Sequence, residues 1–457
     1  MSKALGSGLL AFVTVALLAL PSPATADDVS ASSGHRPAVI VLSPVWRPLP
    51  EPPKTAPPSL QLAYQVASDW SHFVRMNGQH VRRLRELQRR HGSERPIQTT
   101  AMIPAAKDLA LQERLLTALE RVESETGRAG PWLLHLRGAL QHARADSQFE
   151  IEDRRYLQQL SDDSGAAAAE LGPPEPPDHA MAIATWRRLA VEFPDHPQRG
   201  DLLYQLAYLE NQRGAEAAAA TLLRGVLCPE RTAPLETPEP SAYAEAMRVE
   251  SEREALGGDQ PYQRCRPMAM AHDLRTAAWA LLGDVHFHGV GQLRHAASAF
   301  ARAADEARSW RRALYLYQLG WSAYRMDDYP RAIAAFDRLL RPGQVGRALA
   351  DQVAALRPEA MQYLSICFVE LWQTQVGSGR SPTTSVVATV TQHYAGQASD
   401  TSDAHVREVL VGVGDVLSAM TETVPAAEAW RAAIALQPDH PDVAELEQRI
   451  ADTKHRP

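Results

Sequence analysis

The chain has 457 residues, of which 45% are hydrophobic and 22% charged, and it carries a formal net charge of −7. That is enough apolar material for two or three ordinary domains. The mild acidity excludes nucleic acid as a main partner, because a polyanion site needs a basic face that this balance does not supply.

The first 26 residues have the three parts of a secretory signal peptide. Lys3 is the positive region, Leu9 to Leu20 is almost wholly apolar, and Ala24-Thr25-Ala26 is a small-x-small cleavage site. Cleavage is expected after Ala26, and no Cys follows the apolar run to take a lipid. No later stretch approaches the ~20 apolar residues that a membrane span needs. The expectation is an exported, periplasmic chain with no transmembrane segment after signal removal. Residues 27–59 form a proline-rich linker around VWRPLPEPPKTAPP. Proline fixes φ and removes backbone donors, so this linker is expected to be extended and disordered.

Residues 60–178 read as an N-terminal helical region. Helical periodicity marks Leu60 to Arg90, Lys107 to Glu125 and Trp132 to Ala145, the last with Gly138 at a small position on its face. The basic run Arg82, Arg83, Arg85, Arg89 and Arg90 is interleaved with apolar residues and reads as a solvated helix face. A Gly/Ala/Pro-rich stretch, SGAAAAELGPPEPPD, closes the region.

A regular array occupies residues 179–457. It opens with Ala182, Trp186, Leu189 and Pro194 in WRRLAVEFPDHP, followed by Leu203, Leu206 and Ala207 on one helix and Ala219 and Leu223 on the next. Trp279, Leu282 and Gly283 pair with Ala296, Phe300 and Ala303, in a unit one residue longer than the others. The extra residue is placed in HGVGQLRH. Leu316, Leu319 and Gly320 pair with Ala332, Phe336 and Leu339. Residues 358–399 are less regular: PEAMQYLSICFVELWQ is a helix and SVVATVTQHY its antiparallel partner. The last unit sets Leu410, Val413, Gly414 and Leu417 against Ala426, Trp430 and Ala433, with Pro438 ending it and Val443 to Lys454 capping the array. Two helices pack this closely only when small residues sit where the backbones approach and a bulky one fills the space beside them.

This pattern resembles the tetratricopeptide repeat, a helix–turn–helix unit of about 34 residues. The resemblance implies an all-α fold, an α-solenoid of antiparallel helix pairs that presents surfaces to partners and carries no chemistry of its own. Independently, no stretch shows sustained period-two alternation, so no sheet is expected. In such arrays the first helices line the concave groove. The resemblance thereby points inward Tyr204, Tyr208 and Asn211, then Asp284 and Phe287, then Tyr317, Trp321, Tyr324 and Arg325, then Asp415. Polar-tipped rings with an Asn and an Arg suit a peptide-binding surface, since they bury large area at low entropic cost.

Cys228 and Cys265 bracket an unusually long loop, 228–265, and in an oxidising compartment they are expected to form a disulfide. Cys367, on an apolar helix, is expected to be a buried free thiol. No GxxxxGK[ST], HExxH or GxSxG occurs, so neither a cofactor nor an enzyme activity is expected. In Asp284-Val-His286-Phe-His288 the two histidines point about 200° apart on a helix, and core packing accounts for His286 better than a metal does. The chain is similar in plan to repeat proteins of envelope machines for gliding motility, secretion or division. The expected function is a periplasmic scaffold or adaptor binding a protein or peptide partner in a cell-envelope complex. A peptidoglycan- or polysaccharide-binding module, stacking sugars on the same rings, is the alternative, followed by an envelope enzyme with its site in residues 60–180.

Overall fold

Helices account for all the regular structure in the computed structural model, which describes residue 61 and residues 105–161, 174–231, 242–243, 245–250, 261–289, 292–307, 310–341, 350–377, 385–395 and 403–453. No strand occurs among the described residues. The signal-like segment 1–26, the linker 27–59 and nearly all of the helix expected over Leu60 to Arg90 lie outside them. The chain divides into two compact units between Phe193 and Pro194.

The first unit contains α1 (Ala105–Thr126), α2 (Pro131–Ser161) and α3 (Ala180–Glu192). Pro131 opens α2 at a position whose N–H would be unpaired in any case. The helix continues well past Ala145, where the apolar periodicity weakens. α2 packs on α1 with one side and on α3 with the other. At the α2–α3 crossing a methyl added to Gly138 would lie 2.2 Å from Nε1 of Trp186. Trp186 is fully buried, so the glycine is what lets the indole seat on the helix backbone.

The second unit repeats that joint. α4 (Arg199–Gln212) pairs with α5 (Glu216–Leu227), and α6 (His272–Asp284) with α7 (Leu293–Glu306). Next come α8 (Trp310–Tyr324) with α9 (Tyr329–Leu340), the long α10 (Ala350–Gly377), and α11 (Val386–Ala395). The last pair is α12 (Asp403–Ala419) with α13 (Thr423–Leu436), followed by α14 (Val443–Thr453) packed on α13. First helices also stack on their successors: α4 on α6, α8 on α10, and α10 on α12. A methyl on Gly283 would meet the Phe300 ring at 2.5 Å, on Gly320 the Phe336 ring at 2.6 Å, and on Gly414 the Trp430 ring at 2.4 Å. In the α4–α5 pair the corresponding places hold Ala207 and Leu223, both fully buried: a larger small residue faces a smaller large one.

The turns repeat as well. Gly214, Asp327 and Thr421 follow the first helix of their pairs with φ of +79°, +59° and +65°. In each case the next amide reaches back to a carbonyl five residues earlier: Ala215 to Glu210 at 2.8 Å, Asp328 to Ala323 at 3.0 Å and Glu422 to Leu417 at 2.9 Å. This is the left-handed helix end that satisfies otherwise unpaired carbonyls. The Asp328 side chain then caps α9, accepting from the Arg331 amide at 3.4 Å.

Two details depart from the sequence expectation. The longer α6–α7 unit takes up extra length in a π turn, Val285–Gly289, just after α6. A π turn holds one more residue than an α turn, so it absorbs an insertion without breaking the helix. α10 begins at Ala350 rather than at Pro358, carrying the proline inside it. The fully buried Ala360, Leu364, Cys367 and Phe368 hold the helix from its core-facing side.

Candidate partner-binding surface

The residues expected along the groove belong to the second unit and fall into three groups. On α4, Tyr204, Tyr208 and Asn211 are half-buried, and the Tyr208 hydroxyl accepts from the Gln212 side-chain amide at 2.9 Å. On α12, Asp415 is exposed but already engaged. Its Oδ1 accepts from Trp430 Nε1 at 3.1 Å and from Arg449 of α14 at 2.7 Å, which ties the final pair to its capping helix.

The middle group is brought together by the stacking of α6 and its π turn, α8 and α10. Gln318 of α8 donates to Asp284 Oδ1 at 2.9 Å, and the exposed Arg325 lies 4.8 Å over the Phe287 ring. The second contact is a cation–π pair. On the other side of α8, Trp321 lies 4.3 Å and Tyr324 5.5 Å from Tyr363 of α10. Tyr317 sits edge-on to Trp321 at 6.4 Å and to Phe336 at 6.2 Å. Tyr324 is 6.2 Å from Tyr329, which begins α9. The rings thus form a connected aromatic seam: Tyr317 is buried, whereas Trp321 and Tyr324 remain half-open.

Burial raises the Asp284 carboxyl to about 7, with the Gln318 hydrogen bond pulling the other way. Burial likewise raises the Tyr324 hydroxyl to about 12, helped by the charge of Glu370. Glu370 is itself raised by burial and by Asp327. Tyr317 is pushed up by burial and by a hydrogen bond to Glu359. The seam therefore has an acidic margin. Tyr363, Glu359 and Glu370 were missed because they lie on α10, where the repeat spacing fails. The ring of Tyr363 and the carboxylates in PEAMQYLSICFVELWQ were the available signals.

Beside this seam the long loop is stapled. Cys228 and Cys265 form a disulfide with Cα atoms 4.8 Å apart, and Cys367 is a buried free thiol. The loop's Tyr262, in a left-handed conformation at φ +61°, is fully buried, and its hydroxyl shares a 2.7 Å hydrogen bond with His286 Nε2. His286 therefore packs in the core, its charged form disfavoured by burial. Arg224 of α5 donates to Glu250 at 2.7 Å, so the loop is anchored by charge as well as by sulfur.

Antiparallel helix pairs, each with a glycine or alanine under a large side chain and three of them joined by a left-handed turn, define a helical-repeat protein. The family model described as Tetratricopeptide repeat matches residues 315–341, the stretch from Tyr315 on α8 to Arg341 after α9. That one helix pair, α8 with α9, is similar to a tetratricopeptide repeat. Among solved structures, one described as the TPR2AB-domain:pHSP90-complex of yeast Sti1 is similar at 12% sequence identity and a TM-score of 0.17. That match covers 68% of this chain and 99% of that one. No curated protein matches the chain. No described helix is long and apolar enough to cross a membrane.

Proposed function

We propose that this chain is a periplasmic scaffold that captures a segment of a protein partner within a cell-envelope complex. The observation that carries the reading is the seam across three successive first helices, from Asp284 and Phe287 through Trp321, Tyr324 and Arg325 to Tyr363. It combines half-open rings, one exposed guanidinium and carboxylates short of positive charge, which is the composition of a peptide-recognition surface. Asp284, desolvated and bonded to a neutral amide, would gain a counter-ion from a basic side chain of the partner. The envelope placement is supported by the signal-like composition of residues 1–26.

The test is capture by the tag-free protein from solubilised envelope proteins, in parallel with binding to isolated peptidoglycan sacculi. Wild type should retain a defined envelope protein that also binds when purified. Arg325→Glu, with unchanged circular dichroism, should weaken that binding at least tenfold. Binding to sacculi alone would transfer the seam to a sugar-stacking role, and equal capture by Arg325→Glu would refute the surface.

A further inference from the structure

A second polar cluster lies in the first unit. His142 and Asp146 stand one turn apart on α2 and so share a face, and His179 immediately precedes α3. His179 Nε2 is 2.8 Å from Asp146 Oδ1, and His142 Nε2 is 3.4 Å from Asp146 Oδ2. The two imidazoles meet edge-on with centroids 4.8 Å apart, and one ligand atom from each of the three residues lies within 4.8 Å of the others. Both histidines are buried, at 3% and 8% exposure, while Asp146 opens to solvent at the rim. The Trp186 ring, fixed in place on Gly138, lies 5.9 Å from His142 and backs the cluster.

Hydrogen bonding alone accounts for only part of this arrangement. The Asp146–His179 contact is a good hydrogen bond, but 3.4 Å is long for His142, and its Nδ1 is buried with no partner. His142 Nε2 faces Asp146 across a gap too long for a strong hydrogen bond, so its lone pair is open to an ion there, while Nδ1 lies on the far edge of the ring and takes no part. The donor types fit a metal. Two imidazoles and a carboxylate are borderline-to-hard ligands suited to divalent first-row ions, and zinc takes such a set with a fourth position left open. Zinc–nitrogen bonds of about 2.0–2.1 Å in a tetrahedron place ligand atoms about 3.3 Å apart. The His179 and His142 nitrogens lie 2.8 and 3.4 Å from the two different oxygens of Asp146, and one ligand atom from each residue lies within 4.8 Å of the others, so the side chains must draw together to close on an ion.

We propose that His142, Asp146 and His179 bind one divalent transition-metal ion, zinc foremost, which clips α2 to α3 and leaves one coordination position for water or an incoming ligand. A metal ion has no part in the partner-binding reading, so the two stand or fall separately.

The experiment uses the full-length, tag-free protein, freed of metal by a chelator and kept oxidised. Oxidation matters because Cys228, Glu230 and Cys265 also lie within ligand distance of one another, and the closed disulfide withholds those thiols. Cobalt(II) is titrated by visible absorption, and zinc by calorimetry and by its effect on Tm. One ion should bind per chain, cobalt giving the intense bands of four-coordination and zinc raising Tm. His142→Ala, His179→Ala and Asp146→Asn should each lower the affinity at least 100-fold and abolish the Tm shift. Asp146→Asn, which keeps the shape of the side chain, decides the matter if either alanine variant fails to fold. Absence of stoichiometric binding, or binding unchanged in Asp146→Asn and His179→Ala, would overturn the site.

Discussion

Gly320 and Phe336 allow the joint between paired helices to be weighed directly. The methyl of Gly320→Ala would sit 2.6 Å from Cε1 and Cζ of Phe336 and 2.8 Å from Cδ1. Carbon atoms prefer about 3.5–4.0 Å, so the ring or the helix must give way by about 1 Å. Phe336 has nowhere to go: it is fully buried, with Tyr317 and Tyr363 each 6.2 Å from its centroid. Overpacking of this kind costs about 1–3 kcal/mol, and alanine's better helix propensity returns about 1 kcal/mol. The net expectation is a loss of about 0–2 kcal/mol. Phe336→Leu alone leaves a cavity and should also cost about 1–2 kcal/mol. Together the two changes copy the Ala207 and Leu223 arrangement of the α4–α5 pair, the methyl occupying space the ring vacates. The double variant should therefore lie within about 1 kcal/mol of wild type, a favourable coupling of about 1–3 kcal/mol. Urea unfolding followed by circular dichroism measures all four proteins. Losses that simply add in the double variant would show that the glycine is not required by the ring, and the account of helix nesting would fail.

Opening the Cys228–Cys265 disulfide, which closes a sequence separation of 37, should lower stability by about 3–4 kcal/mol on chain entropy. Reductant and the Cys228→Ser/Cys265→Ser variant should shift the urea midpoint alike; a midpoint that stays put would mean that Arg224–Glu250 and Tyr262–His286 hold the loop unaided. At Asp284, burial raises the folded carboxyl to about 7, against about 4 in an unfolded chain. Between those values the folded state binds more protons, so this group's contribution falls as pH rises through that window. Asp284→Asn should match wild type near pH 4 and exceed it by about 1–3 kcal/mol at pH 8, allowing for partial exposure. An advantage that does not change with pH would remove burial as the cause.

The helix pairs were legible because their constraint is local and repeated. Gly283, Gly320 and Gly414 stand at one fixed place with Phe300, Phe336 and Trp430 at another, and each glycine sits under its ring in the structure. Gly138 was legible as a small position. Trp186 stood in the second-helix pattern, but its pairing with Gly138 was not legible, because the Pro-rich stretch between them hides the spacing. The disulfide followed from the expected compartment and the loop length, but nothing in the spacing of Tyr243 or Tyr262 shows that a loop folds back to bury them. The same holds for Asp337 of α9. It is buried and accepts from Tyr394 at 2.9 Å and from Arg341 at 2.6 Å, and it contacts His405 at 2.9 Å. That network joins α9, α11 and α12 through residues far apart in the chain, which periodicity cannot see. At the proposed partner surface, register on the first helices alone named the residues. The division of Tyr317 into the interior and Arg325 onto the exterior depends on how α10 covers α8, and residues 350–377 break the repeat rule.

The left-handed turns have a further consequence. Glycine takes this conformation freely, yet Asp327 and Thr421 take it too, and for a β-branched threonine it is costly. The same backward amide bonds recur whatever side chain stands there, so the shape of the bend is imposed by the helices on either side of it. The bends are thus exchangeable connectors. A segment cut from Ala207 to Ala215 should close the α8–α9 or α12–α13 pair as well as its own, and Gly in place of Thr421 would relax a strained link without altering how its helices meet.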